Sequence, residues 1–379
     1  MRSSSGKHFI ALDHVRALAA SIVFAWHFTH ASNGYPVPFN YTPALFPFSI
    51  LDEGHMGVAL FMTLSGYLFA KLLDGKSINY KAFIWNRVLR IFPLLMVVIV
   101  IAGIINIRNG QSLSSYVDAL AKGFYLPTLP NGGWSIMVEC HYYVILPLLL
   151  WMQIKSKLWP LPIIVGSIAL RWYLYHGSGE IQSLAYWTIV GRIDQFVLGM
   201  LAYQLRHRFA RRHLIAVGTI VAFMLIYWYF DFLGGFYLNR SYPWLWIILP
   251  TIEGIASAIS IAWYDNSFTH STSGVSKFIG RLGEYSYSIY LLHFFVVFDL
   301  ARYVNEQIMK ISNFYVACLW SFFCFVLMVI PGYLSFRLIE APFLKLRRSY
   351  VKGAHRESDQ AGHLAKFGES QRDLDQVSR

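Results

Sequence analysis

The chain has 379 residues, of which 56% are hydrophobic, 17% aromatic and 14% charged, and its formal net charge is +12 at pH 7. This apolar fraction excludes an ordinary soluble domain and predicts a polytopic membrane protein. The positive charge does not indicate nucleic-acid binding, because the Lys and Arg residues lie between apolar segments rather than along one basic stripe.

Apolar segments recur at about ten places, each close to the roughly 20 residues that cross a bilayer. The predicted spans are 10–31, 55–73, 89–107, 140–155, 158–175, 185–205, 213–231, 244–264, 284–301 and 314–338. Lys and Arg are concentrated in alternate connections, on the side of the amino terminus. The positive-inside rule therefore predicts an all-α bundle of about ten transmembrane helices with both termini in the cytoplasm. Residues 1–345 form the predicted membrane domain, and 346–379 a polar, disordered cytoplasmic tail.

The first predicted span carries the ionisable side chains Asp13, Arg16 and His27 within an apolar run. Ionisable groups are costly in hydrocarbon, so they normally face protein or a wet cavity and are candidates for function. Arg16 and His27 share a helix face, at depths roughly 16 Å apart. The imidazole could take a proton from a hydroxyl, or it could be a buried histidine bonded to a carbonyl. Asp13 is expected to pair with Arg16.

The second predicted span contains small residues, whereas the third begins with two arginines. Gly57, Ser65 and Gly66 are small residues that permit close approach of helices, and packing is their expected role. Arg87 and Arg90 are three positions apart and share a face at the predicted cytoplasmic boundary. Two guanidinium groups there suit phosphate binding. Anchoring to anionic lipid headgroups is the alternative.

Further polar groups occur in later spans. Glu139 opens the fourth predicted span, on the same side as His27, and could orient that imidazole or bind an acceptor hydroxyl. A carboxylate satisfying the helix dipole is the alternative interpretation. Arg192, Asp194 and His293 could line the same cavity or pair internally. The cysteines and histidines lack metal-ligand spacing, so no metal is expected.

Five motifs follow one another along residues 8–345, and together they resemble the acyltransferase-3 family of membrane acyltransferases. That family includes O-acetyltransferases of bacterial surface glycans and of rhizobial lipo-oligosaccharides. The motifs are Arg16-x10-His27, the Gly57, Phe61 and Ser65-Gly66 span, Arg87-x-x-Arg90, Trp134-Ser135 with Glu139 and Tyr142-Tyr143, and the run Ser286-Tyr287-Ser288-Ile289-Tyr290-Leu291-Leu292-His293.

The resemblance implies an inner-membrane O-acyltransferase that takes an acyl group, usually acetyl, from cytoplasmic acetyl-CoA. The acceptor would be a hydroxyl of an envelope or secreted glycan of O-antigen (lipopolysaccharide), exopolysaccharide or lipo-oligosaccharide type. The resemblance carries the essential-histidine role to His27 and important arginines to Arg16, Arg87 and Arg90. Glu139 is the expected partner of His27 or of the sugar. A transporter or flippase of a lipid-linked sugar or small solute is the competing function.

Overall fold

The computed structural model of the chain describes residues 9–156, 158–238 and 242–352. Within those residues the chain is helical except for its loops and one two-stranded antiparallel sheet of strands β1 (Ser77–Ile78) and β2 (Val351–Lys352). The predicted all-α architecture is therefore confirmed. Residues 353–379 of the predicted tail lie outside the described residues.

The helices of the first half of the chain are α1 Ile10–Thr29, α2 Ala31–Gly34, α3 Ser49–Asp52, α4 Gly57–Leu73, α5 Tyr80–Arg108, α6 Leu113–Lys122, α7 Gly133–Lys155, α8 Pro160–Ser178, α9 Gln182–Trp187 and α10 Ile189–Gln204. Those of the second half are α11 Arg206–Phe209, α12 His213–Phe232, α13 Gly235–Leu238, α14 Leu245–Ser267, α15 Gly274–Glu284, α16 Ser286–Leu292, α17 Val297–Tyr303, α18 Phe314–Leu327, α19 Val329–Ser335 and α20 Ala341–Leu344. Short 3₁₀ or π-helical turns lie at Phe46–Phe48, Gly54–Met56, His293–Phe295, Val304–Ile308 and Phe336–Glu340.

Among the described residues, six helices are long and apolar enough to cross a membrane. They become seven if the pair Ser286–Phe295 and Val297–Ile308, bent by 60°, is counted as one broken span. The predicted number of about ten is therefore not confirmed. Three predicted spans, those of α1, α8 and α10, are not among the six, and each carries arginine or aspartate side chains.

The span Gly54–Leu73 lies at the centre of the bundle, with 78% of its most apolar window buried, against 22% for α12 at the periphery. Glycines allow this central helix to touch its neighbours through backbone. A Cβ atom added at Gly66 would lie 2.0 Å from the Phe196 carbonyl oxygen of α10. One added at Gly57 would lie 2.7 Å from the Ala19 carbonyl oxygen of α1. The predicted packing role of these two glycines is confirmed, and it places α1, which carries His27, against the core.

The segment after the last membrane helix folds back onto the start of α5, which differs from the disordered tail predicted from residue 346. Val351 pairs with Ile78 in the small sheet, and the Asn79 backbone N–H donates to the Tyr350 carbonyl at 2.7 Å. The Tyr350 ring is buried against Phe83. Composition alone did not predict this packing, because the segment is polar and is held mainly by backbone hydrogen bonds.

Replacing Gly66 by Ala should destabilise the protein, because the new methyl group meets backbone that cannot move aside. Overpacking of this kind costs about 1–3 kcal/mol. We expect the Gly66→Ala variant to unfold at lower temperature in detergent. Gly218→Ala in α12 is the matched control, since a Cβ there meets nothing within 4 Å. Equal melting temperatures for the two variants would contradict the close approach.

Candidate active site

A cavity of about 1350 Å³, counting the space where it opens to the outside, lies among α1, α4, α5, α7 and α16. We call it the arginine cavity. It brings together four of the five site residues predicted from sequence. They are Arg16, Arg87, Arg90 and Glu139.

Each of these arginines is held differently. Arg16 forms the expected ion pair with Asp13, one helical turn earlier. Arg87 lies over the rings of Phe69 and Phe83, at 5.3 and 5.6 Å from its guanidinium carbon. Its Nε is buried and has no hydrogen-bond partner among the described residues. Both Arg87 and Arg90 line the cavity, so the predicted shared face is confirmed.

Arg90 has an acidic partner that sequence reasoning missed. Its Nη1 atom donates to Glu340 Oε2 at 2.6 Å, and Glu340 is fully buried in the turn Phe336–Glu340. Ser288 donates a hydrogen bond to the same carboxylate. One carboxylate therefore fixes the direction of Arg90.

Glu139 lies deeper than the sequence suggested. Helix α7 begins at Gly133 rather than at residue 140, so Glu139 is six positions inside the helix, roughly 9 Å further along its axis. Ser65 donates to its Oε1 atom at 2.8 Å. The expected contact with His27 does not occur among the described residues, because Glu139 lines the arginine cavity and His27 lines a different one.

That second cavity, the histidine cavity, has about 1070 Å³ of space including its opening. Its wall is strongly aromatic, with His27 and two uncharged polar side chains among the rings. Its lining residues are Val23, Trp26, His27, Val58, Trp134, Gln182, Ser183, Tyr186, Trp187, Phe236, Tyr237, Tyr290 and Phe294. An aromatic wall with few polar groups is typical of a pocket for a ligand that has both apolar and hydroxyl-bearing faces.

The hydrogen bonds of His27 define its tautomer. Its Nδ1 atom is 2.9 Å from the Val23 carbonyl oxygen. A carbonyl can only accept, so Nδ1 carries the proton and donates it. Nε2 of the neutral ring is then unprotonated, and it has no hydrogen-bond partner among the described residues. This is the state that a proton acceptor requires.

His293 supports the same arrangement. Its own Nδ1 donates to the Tyr290 carbonyl at 2.6 Å, which leaves Nε2 as an acceptor. That Nε2 lies 3.3 Å from His27 Nδ1. The Nδ1–H group of His27 thus makes a bifurcated hydrogen bond, to the Val23 carbonyl and to His293 Nε2. His293 is fully buried and is absent from the lining of either cavity. It therefore contacts His27 from outside the histidine cavity.

The two cavities adjoin at two side chains, since Val58 and Tyr290 line both. The first turn of α7 passes between the cavities, with Trp134 in the histidine cavity and Ser135 in the arginine cavity. Ser135 donates a hydrogen bond of 2.8 Å to the Tyr290 hydroxyl and so holds the ring in place. A ligand extending from the arginine cavity would meet the histidine cavity at this ring.

Arg192 and Asp194 pair internally rather than line either cavity. Arg171 donates to Asp194 at 2.8 Å, and all atoms of both side chains are buried. Arg192 donates to the Gln195 side chain and to the backbone of Tyr186, whose ring belongs to the histidine cavity. These contacts tie α8 to α10 and position part of the aromatic wall.

A buried carboxylate positions another part of that wall. Glu53, beside the start of the central span, accepts the Phe236 backbone N–H at 3.1 Å. Burial raises the pKa of Glu53 to about 7. Glu53, Asp52 and Asp231 bring oxygen atoms within 4.8 Å of one another, which is close enough to ligate a cation. Acidic clusters also form without an ion, and we assign no metal here.

Comparison with known proteins finds relatives that align with most of the chain. A protein of Staphylococcus aureus (strain COL) named "Putative O-acetyltransferase" is 27% identical over 349 residues, covering 78% of this chain and 53% of that protein. The peptidoglycan O-acetyltransferase OatA of Listeria monocytogenes is 25% identical over 388 residues, covering 90% of this chain and 56% of OatA. The chain thus spans about half the length of the curated relatives it matches.

No solved structure matches the chain. The family model described as an acyltransferase domain matches residues 9–336, which include His27, Arg16, Arg87, Arg90 and Glu139. The match covers nearly all of the helices that wall both cavities. On its sequence and its several membrane-capable helices, the chain belongs to the acyltransferase-3 family of membrane acyltransferases.

Proposed function

We propose that this protein is an O-acetyltransferase of the cytoplasmic membrane that moves an acetyl group from cytoplasmic acetyl-CoA to a hydroxyl of an envelope or secreted glycan. The observation that carries the proposal is the adjacency of the two cavities. One is lined by arginines, the other contains an unprotonated imidazole nitrogen, and they adjoin at Val58 and Tyr290. The names of the relatives support acetyl as the group transferred.

The arginine cavity suits the donor. Coenzyme A carries phosphate groups on one end and a thioester on the other, separated by a long flexible arm. Guanidinium groups bind phosphate through two parallel N–H donors, and Arg87 and Arg90 face the same cavity. Arg16, on α1, lines the same cavity, and we assign it to the arm of the donor. We assign Glu139, bonded to Ser65, to the donor side also.

The histidine cavity suits a sugar acceptor. The apolar C–H face of a sugar ring packs on aromatic rings, and Trp26, Trp134, Trp187 and Tyr237 supply such rings beside His27. Sugar hydroxyls are then within the same cavity as the imidazole. The acceptor class is a glycan of O-antigen, exopolysaccharide, peptidoglycan or lipo-oligosaccharide type.

The reaction follows from the protonation state of His27. Nε2 takes the proton of the acceptor hydroxyl as that oxygen attacks the thioester carbonyl carbon. A carbon–oxygen bond forms and the carbon–sulfur bond breaks. The proton held on Nε2 then passes to the departing thiolate, which restores the neutral ring. His293 keeps the Nδ1 proton of His27 in place throughout and is a positioning residue.

A transporter or flippase is the alternative function. Buried ionisable groups also occur in carriers, where they mark the substrate path. The family match favours an enzyme, since its description is an acyltransferase domain.

Replacing His27 by Ala should abolish general-base catalysis, which contributes about 10²–10⁴-fold. The measurement is transfer of labelled acetyl from acetyl-CoA to surface glycan by purified protein in liposomes. His176→Ala, at an exposed position of α8 outside both cavities, is the comparison variant. Near wild-type transfer by His27→Ala would remove the basis of the proposal.

Replacing His293 by Ala should lower kcat by about 10–100-fold with little change in KM, because His27 loses an outer-shell acceptor while both substrate cavities keep their walls. His293→Gln places an amide oxygen near the same position and should restore part of kcat. A fall in kcat that the Gln variant does not relieve at all would argue for a purely structural role.

We also propose that both termini lie in the cytoplasm and that the histidine cavity lies on the opposite side of the membrane. This topology follows from the positive-inside prediction of about ten crossings. We would replace Cys140, Cys318 and Cys324 by Ala and then introduce Ser183→Cys or Arg348→Cys, both at exposed positions. A membrane-impermeant maleimide should label Ser183→Cys in intact spheroplasts and Arg348→Cys only after lysis. Labelling of both from the same side would refute this topology.

A further inference from the structure

We propose that Arg347, on the segment after the last membrane helix, is a third arginine of the donor-phosphate site, and that residues 345–352 form a strap completing that site. This inference rests on the proposed function and extends it. In the sequence, Arg347 and Arg348 count only among the positive charges on the predicted cytoplasmic side. Arg347 lies beyond residue 336, where the family match ends.

The strap is fixed to the start of α5 by its backbone. The Asn86 side chain is fully buried and bonds the backbone of Arg348 in both directions, donating to its carbonyl at 2.7 Å and accepting its N–H at 2.9 Å. Trp85 donates to the Leu346 carbonyl at 3.3 Å. Arg347 lies between these two anchored residues, so its backbone position is determined by α5, the helix that carries Arg87 and Arg90.

The side chain of Arg347 enters the arginine cavity. Arg347 and Tyr350 are both part of the cavity lining, and Tyr350 is 1% exposed. The groups that act electrostatically on Arg347 include Arg87, Arg90, Tyr350 and the carboxylate of Glu340. Burial, and then repulsion from the two arginines, lowers the pKa of Arg347 to about 10, so it stays protonated at neutral pH.

The charges of Arg87 and Arg90 repel that of Arg347 within the same cavity, whose wall also carries Asp13, Glu139 and Glu284. Repulsion among guanidinium groups is unfavourable in the empty site and is relieved when an anion binds between them. A ligand with several phosphate groups matches both the number and the planar geometry of these donors. A nucleotide thioester such as acetyl-CoA has that chemistry, and the phosphate of a lipid headgroup shares part of it.

Arg348 provides a matched control within the same strap. Its side chain is exposed and lies over the Trp85 ring, 5.8 Å from the centroid, outside the cavity. Arg348→Gln removes the same charge from the neighbouring residue and keeps the backbone hydrogen bonds to Asn86. A charge that acts only through general attraction to the membrane would be equally important at both positions.

The experiment measures acetyl transfer by full-length protein in phosphate-free detergent, with two donors. One is acetyl-CoA, and the other is S-acetyl-N-acetylcysteamine, which keeps the thioester and lacks every phosphate. We expect Arg347→Gln to raise KM for acetyl-CoA about ten-fold or more, since a charge-assisted contact is lost. Its kcat should change little, and its KM for the truncated donor should match that of the wild type. Arg347→Lys should lie between.

Other results would overturn the inference. Equal KM changes in Arg347→Gln and Arg348→Gln would make Arg347 an ordinary surface charge. An equal loss with both donors would assign it a structural role or a lipid-headgroup ligand. Melting temperature, with and without acetyl-CoA, checks folding: a folded Arg347→Gln variant stabilised by acetyl-CoA as much as the wild type would also refute it. If wild-type protein used neither donor, the proposed function itself would fail.

Discussion

The hydrogen bond from His27 Nδ1 to the Val23 carbonyl is the interaction on which the rest of the site depends. The acceptor belongs to the helix that carries the donor, one turn earlier, so the ring direction is fixed by helix geometry itself. His293 is oriented in the same way, by donating its Nδ1–H to the Tyr290 carbonyl. Its Nε2 atom then faces His27. Two neutral imidazoles anchored in this way have one self-consistent proton arrangement, in which the free lone pair belongs to His27.

This arrangement requires that the helices do not shift, and the surrounding contacts provide that rigidity. Gly66 brings the backbone of α4 against α10, and Gly57 brings it against α1. Away from the cavities, the buried Arg171–Asp194 pair joins α8 to α10. Removing one partner of such a pair leaves an uncompensated buried charge, so the pair constrains where those helices can lie. The helices around the cavities are thus held in place by close backbone contacts and by a buried ion pair.

Sequence reasoning succeeded where the determining contacts are local. The helical character of the chain, the pairing of Asp13 with Arg16, and the common face of Arg87 and Arg90 were predicted correctly, whereas the number of about ten spans is not confirmed. It failed for Glu139, because the start of α7 was placed seven residues late and the side chain was therefore assigned to the wrong depth. The contact between His27 and His293 joins residues 266 positions apart in the sequence. Periodic patterns report only on neighbours within one helix, so they could not predict this contact.

The folded-back segment after α20 has a consequence for the extent of the domain. A polypeptide shortened to residue 336, where the family match stops, would lack every backbone group that Asn86 bonds. Leaving a buried amide without partners costs about 1–3 kcal/mol. Strand β1 would also lose its only partner among the described residues. The contacts that hold the start of α5 therefore extend to Lys352, sixteen positions past residue 336, where the family match stops.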